Sequence, residues 1–102
     1  MDVVICDHHE CSQDGRPDCV ALVNPKVGDD YHYLCSAGVV FKVAHALLKT
    51  RQNLALDLKN YLDMVALGTV ADIVPLVSEN RILVRKGLHC LRETENCGLV
   101  AL

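Results

Sequence analysis

Asp7-His8-His9 sets a carboxylate and two imidazoles side by side, directly after the apolar run Val3-Val4-Ile5. All three side-chain types take up metal ions or phosphate. The run before them reads as a buried strand, so the trio falls where a strand gives way to a loop. In parallel α/β sheets the crevice beyond the carboxyl ends of the strands is where ligands bind. Strand alternation would send His8 and His9 to opposite faces if the strand continued. They serve one site only if the backbone turns there, or if each has a separate task. A solvated loop is the plain reading of one histidine, but three such polar groups against a core point to chemistry, because unpaired polar groups there are costly.

A second constellation is Gly68-Thr69-Val70-Ala71-Asp72-Ile73-Val74-Pro75-Leu76, with Asp72 the one charged residue between Asp63 and Glu79. Pro75 disfavours helix at Val74, so a helix ending close to Asp72 is expected. A carboxylate there faces the negative end of the macrodipole, worth a few tenths to ~1 kcal/mol against it, and a bound cation reverses the sign. The absence of other charge predicts that the stretch lies inside. His8 and Asp72 together make an N/O ligand set that suits Mn²⁺, whereas Mg²⁺ prefers oxygen and water. Two metals about 3.5–4 Å apart are the usual device for in-line phosphodiester hydrolysis, and they need more carboxylates than Asp7 and Asp72 supply.

The elements that must hold these residues can be read from the spacing of apolar positions. Glu10 to Asp18 is a polar loop, and Cys19-Val20-Ala21-Leu22-Val23 is a second strand stopped by Asn24-Pro25. A loop from Gly28 to Tyr33 carries Asp29-Asp30 and two tyrosines, Tyr31 and Tyr33, that either stack on a base or pin the loop. Ser36 is a candidate N-cap for a helix whose Ala37, Val40, Phe41, Ala44, Leu47 and Leu48 form one apolar face. A second helix is expected from about Asp57, with Leu58, Leu62, Val65 and Ala66 inward. A third runs from Ser78, another candidate cap, to the mid-nineties, with Gly98 suited to its termination. The fold class is α/β, with short parallel-sheet strands followed by three helices. Two strands make a poor sheet, so the pattern suits part of a domain.

Composition narrows the function classes. A chain of 102 residues is one domain at most, and its half-apolar make-up excludes disorder as the default. The net charge of −3 gives no global electrostatic case for a polyanion. Only Arg81 to Arg92 repeats basic residues at helical spacing, which reads as a solvated helix face. No apolar run approaches the ~20 residues of a membrane span. Met1-Asp2 is not the basic opening of a secretory signal, so a cytoplasmic location is expected. Six cysteines show no Cys-x-x-Cys spacing and read as reduced thiols, some in the core. A zinc or redox module on Cys6, His8, His9 and Cys11, with Cys19 nearby, is an alternative with irregular spacing.

Asp7-His8-His9 after a strand, followed by Gly68-Thr69-Val70-Ala71-Asp72, resembles the DHH phosphoesterase superfamily and, more narrowly, its RecJ-like exonucleases. Ala21 to Lys26, Ser36 to Lys42, Ala66 to Leu76 and Glu79-Asn80-Arg81 resemble that family's blocks in order and spacing. The resemblance implies that His8 and Asp72 are metal ligands and that His9 is a catalytic residue contacting the scissile phosphate. Asp7 then serves catalysis by orienting an imidazole, and Arg81 binds phosphate or has a structural role. It further implies a two-metal Mn²⁺ or Mg²⁺ site and single-stranded DNA digested from the 5′ end, in repair and recombination. A single-strand-binding protein or a helicase would be the partner. The family carries earlier aspartate motifs, including an Asp-x-Asp pair, and further domains. Residues 1–102 are therefore expected to be the C-terminal portion of a DHH domain, a fragment inactive by itself. Alternatives are an oligonucleotide or cyclic-dinucleotide phosphodiesterase, a pyrophosphatase, and a non-catalytic interaction domain.

Overall fold

In the computed structural model residues 1–11, 15–27, 33–51 and 55–102 are described. Gly28, Asp29, Asp30 and Tyr31 lie outside them. Two strands, β1 (Val4–Cys6) and β2 (Ala21–Val23), pair in parallel with Ile5 opposite Leu22. Val20 N–H donates to Val3 O and Asp7 N–H to Val23 O, extending the ladder at both ends. Parallel strands need a crossover of about a dozen residues or more. Here it is the segment from 7 to 20, which begins with Asp7-His8-His9. β2 stops at Asn24 as its Pro25 dictates, and a 3-10 turn, Pro25–Val27, follows.

Three helices form the rest: α1 (Ser36–Thr50), α2 (Leu62–Ala71) and α3 (Ser78–Leu91), followed by a one-turn α4 (Cys97–Val100). Together they make a partial α/β domain of the expected class. Asp57 starts the second helical segment, its carboxylate accepting from Lys59 N–H at the head of a 3-10 turn that leads into α2. Among the described residues, no helix is long and apolar enough to cross a membrane.

The core is small and lies where the helices meet: Leu34, Cys35 and Val39 from the start of α1, Val65 and Ala66 from α2, and Val84 from α3. Two close approaches set it. A Cβ at Gly87 would overlap the Leu62 carbonyl and the Ala66 methyl, so α3 lies directly on the α2 backbone. A Cβ at Gly68 would stand 2.9 Å from the Ala37 methyl, which brings α1 against α2. Thr69 donates to Val65 O at 2.6 Å and lies 3.4 Å from the Cys35 thiol, satisfying the one hydroxyl in that contact.

Asn80 joins all three helices. It is fully buried in the first turn of α3, and its amide donates to Tyr33 O at 2.6 Å and to Pro75 O at 3.0 Å. The first acceptor precedes α1 and the second follows α2. Its Oδ1 has no hydrogen-bond partner among the described residues.

Several expectations are corrected. β1 is not a buried strand: Val4 is 58% exposed, because two strands and one covering helix leave most of the ladder uncovered. Ser36 and Ser78 do not cap; the cap positions fall to Cys35 and Val77, without side-chain hydrogen bonds. Ser78 is instead in the left-handed region at φ 45°. The apolar face assigned to α1 is partly open, with Val40 and Leu47 exposed and Val39 buried; the close approach to α2 is at its first turn, where Ala37 meets Gly68. α3 ends at Leu91, and Gly98 lies inside α4, whose N-cap Asn96 accepts from Gly98 and Leu99 N–H.

Gly87→Ala is expected to destabilise the fold by about 3 kcal/mol or more, as overpacking against backbone does. Asn80→Ala should cost roughly 1–3 kcal/mol for each carbonyl left unpaired. Urea midpoints measure both, and an unchanged midpoint for either variant would refute the contact assigned to it.

Candidate metal and phosphate site

The cluster is built by two chain reversals. β1 ends at Cys6 and the backbone bends at His9, so the two imidazoles do not diverge; their ring centroids lie 4.4 Å apart with a 47° tilt. The bend is held from β2. Asn24 donates its amide to His9 O at 2.9 Å while its Oδ1 accepts from Lys26 N–H, an Asx turn that points the side chain back across the ladder. Lys26 Nζ reaches Glu10 at 2.8 Å on the same loop.

The second reversal is at the end of α2. Asp72 is its C-cap, at φ −84° and ψ 0°, with its N–H still bonded to Gly68 O. Ile73 follows at φ 54°. A β-branched residue in that region is strained by the clash of Cβ with the carbonyl oxygen, roughly 1–2 kcal/mol. That turn aims Asp72 at β1. Its Oδ2 lies 3.2 Å from His8 Nε2, with the imidazole largely buried and the carboxylate partly open. The stretch around it is not interior: Val70, Leu76 and Val77 are exposed and Ile73 is 89% exposed. Its lack of charge reflects an uncovered apolar surface.

Asp7 serves the other imidazole. Its Oδ1 is 2.7 Å from His9 Nδ1. An ionised carboxylate only accepts, so His9 carries its hydrogen on Nδ1 and leaves Nε2 outward on a ring whose side chain is 76% exposed. The His9 side-chain hydrogen bond, followed by backbone bonds from the loop, holds the Asp7 carboxyl below its ordinary value of 3.8.

Ligand atoms of Asp7, His8 and His9 all lie within 4.8 Å of one another, a spread one divalent ion could span. The His8–Asp72 separation of 3.2 Å is close to the roughly 3 Å between neighbouring ligands on an octahedral ion with bonds near 2.1 Å. Among the described residues no cysteine belongs to the cluster, and the six thiols are free, which removes the support for a zinc module on Cys6 and Cys11.

Beside the cluster opens a cleft of about 490 Å³, lined by His8, Glu10, Lys26, Tyr33, Ile73 and Pro75 among others. Tyr33 is thus at the site, whereas Tyr31 falls outside the described residues. Arg81 is not brought to the cleft; it lines a separate groove on α3. Sequence reasoning missed Asn24 as the clamp on His9. Its one local signal is the Asn-Pro-Lys tripeptide, which by itself reads only as a strand stop.

Residues 1–69 match the family described as "DHH family, N-terminal domain". The chain is 44% identical over 105 residues to the single-stranded-DNA-specific exonuclease RecJ of Bacillus subtilis (strain 168), covering 100% of the chain and 12% of that protein. It is 37% identical over 102 residues to RecJ of Escherichia coli (strain K12), covering 88% of the chain and 18% of that protein. RecJ of Thermus thermophilus is 37% identical over 100 residues, with 97% and 14% covered. The chain therefore spans less than a fifth of the length of these relatives.

A depressed Asp7 pKa contributes stability above pH 3.8, and that contribution is lost as pH falls through the lower, folded value. The Asp7 carboxyl carbon should titrate by NMR with a midpoint below 3.8, and His9→Ala should return it toward 3.8. Equal midpoints in the two proteins would break the assignment of His9 as its partner.

Proposed function

The chain belongs to the DHH family, and from that premise we propose that it is part of the catalytic domain of a metal-dependent exonuclease that hydrolyses single-stranded DNA in the 5′ to 3′ direction during repair and recombination. The observation that carries this reading is the approach of His8 Nε2 to Asp72 Oδ2 at 3.2 Å from elements far apart in the chain. Relatives that share residues throughout this segment are named as single-stranded-DNA-specific exonucleases, which supports the substrate. Residues 1–102 then form the C-terminal portion of the DHH domain, and partner proteins of the whole enzyme would include a single-strand-binding protein or a helicase.

His8 and Asp72 would hold a divalent ion, Mn²⁺ or Mg²⁺, with Mn²⁺ favoured by the imidazole. When bound, such an ion lowers the pKa of a coordinated water and offsets charge on a phosphoryl group. The protein's own groups do the rest. Asp72 holds its carboxylate against the negative end of α2, an unfavourable placement that a cation relieves. Asp7 fixes the His9 ring through Nδ1, so that Nε2 is presented to a phosphoryl group at the open side of the cluster. Lys26 at the rim of the cleft supplies positive charge near the incoming phosphate, with Glu10 limiting its swing. Tyr33, at the same rim, offers a ring face to a terminal base.

In the full-length protein, His8→Ala and Asp72→Ala should each lower Mn²⁺-dependent digestion of single-stranded DNA by at least about a hundredfold, and Asp7→Asn by roughly 10–100-fold, the range for residues that orient an imidazole. Release of acid-soluble nucleotide from a labelled strand measures all three. Near-normal digestion by the His8 or Asp72 variant would exclude that residue from the site.

A further inference from the structure

We propose that the groove along α3 formed by Arg81, Arg85 and Arg92 over Leu76, Val84 and Leu88 is a track for the single-stranded DNA that occupies the His8–Asp72 cleft. The proposal rests on the nuclease reading and extends it to a binding surface that the cluster itself does not use.

Charge is the first support. The chain carries a net charge of −3, yet this groove is lined by three guanidinium groups and His89 with no carboxylate among its walls. None of the three arginines is ion-paired among the described residues; the ion pairs present go to His8, His9, Lys26 and Lys42. Glu79, the acid in the first turn of α3, is taken by Lys42 at 2.8 Å. Unpaired guanidinium groups with planar, two-pronged donors are suited to phosphate.

Spacing is the second. Positions 81, 85 and 92 fall on one helix face, and the first two are about 6 Å apart along the axis, the third about 10 Å further. A line of cations at that pitch follows an extended backbone and not a single small anion. The floor supplies the third support: Leu76 is 50% and Leu88 48% exposed, with Val84 buried beneath. Apolar side chains between arginines favour a polyanion whose sugars and bases are accessible, which a duplex conceals and a single strand presents.

Continuity is the fourth. Ile73, Val74 and Pro75 line the cleft beside His8, and the next residue, Leu76, lines the groove. One ridge of chain separates the two, so a strand seated at the cluster passes over Pro75 onto Arg81.

The test is binding without hydrolysis. Affinity of the full-length protein for a fluorescein-labelled oligothymidylate, in EDTA, is measured by anisotropy across roughly 50–200 mM salt. Each phosphate contact on a single strand contributes about 0.7 to the slope of log affinity against log salt, so Arg85→Gln with Arg92→Gln should reduce that slope by about 1.4. Arg85→Lys with Arg92→Lys should keep the slope, and a duplex of the same length should compete poorly. An unchanged slope in the glutamine variant overturns the proposal, as does equal loss in the lysine variant. Unchanged DNA binding with lost affinity for an acidic protein would also overturn it, and would assign the groove to that class of partner. Because no ion and no cleavage enter the measurement, its failure is separable from failure of the His8 and Asp72 variants to lose digestion.

Discussion

Two hydrogen bonds from one buried amide determine where the site can be. Asn80 sits in the first turn of α3 and binds the carbonyls of Tyr33 and Pro75, so the segment entering α1 and the segment leaving α2 are held to the same point. Both segments line the cleft beside His8. Asp72 lies three residues before one of those carbonyls, at the end of a helix that Gly87 allows α3 to touch at backbone distance. The amide works beside the Cys35–Thr69 and Ala37–Gly68 contacts, which hold the start of α1 to the same helix. The clamp is the more demanding because Oδ1 finds no compensating donor among the described residues.

Strain is concentrated at the same place. Ile73 and Ser78 are the two non-glycine residues with positive φ among those described, and they bracket the short connector that carries Pro75 between α2 and α3. Left-handed backbone at non-glycine positions persists where surrounding contacts over-determine it. Here those contacts are the Asn80 bond to Pro75 and the α2–α3 packing, and the result is a carboxylate delivered to an imidazole on a separate element.

How much of this could be read in advance differs from residue to residue. Pro75 announced the end of α2 at Asp72, and Asn24-Pro25 announced the end of β2, because proline restricts the residue before it regardless of tertiary context. The adjacency of the two histidines followed from composition alone, but their approach did not: a bend at His9 depends on Asn24, fifteen residues away, and no local pattern encodes it. His8 and Asp72 could be paired as a ligand set from their chemistry, but their approach to 3.2 Å is a tertiary fact that no local pattern encodes. Burial was the least legible property. Val3, Val4, Val70, Ile73 and Leu76 are apolar in sequence and open to solvent in the structure, because hydrophobicity tells what a residue prefers and not what is there to cover it. The serine caps failed for a related reason: the backbone entering α1 and α3 is dictated by packing at Leu34-Cys35 and by the strained turn, and both override a capping preference.

The two halves of the cluster stand on separate parts of the fold. Asp72 closes α2, which is packed on α3 in a hairpin of neighbouring helices, and His8 leaves β1, which is paired with β2. An ion that required both would act as a latch, tying the strand pair to the helical hairpin.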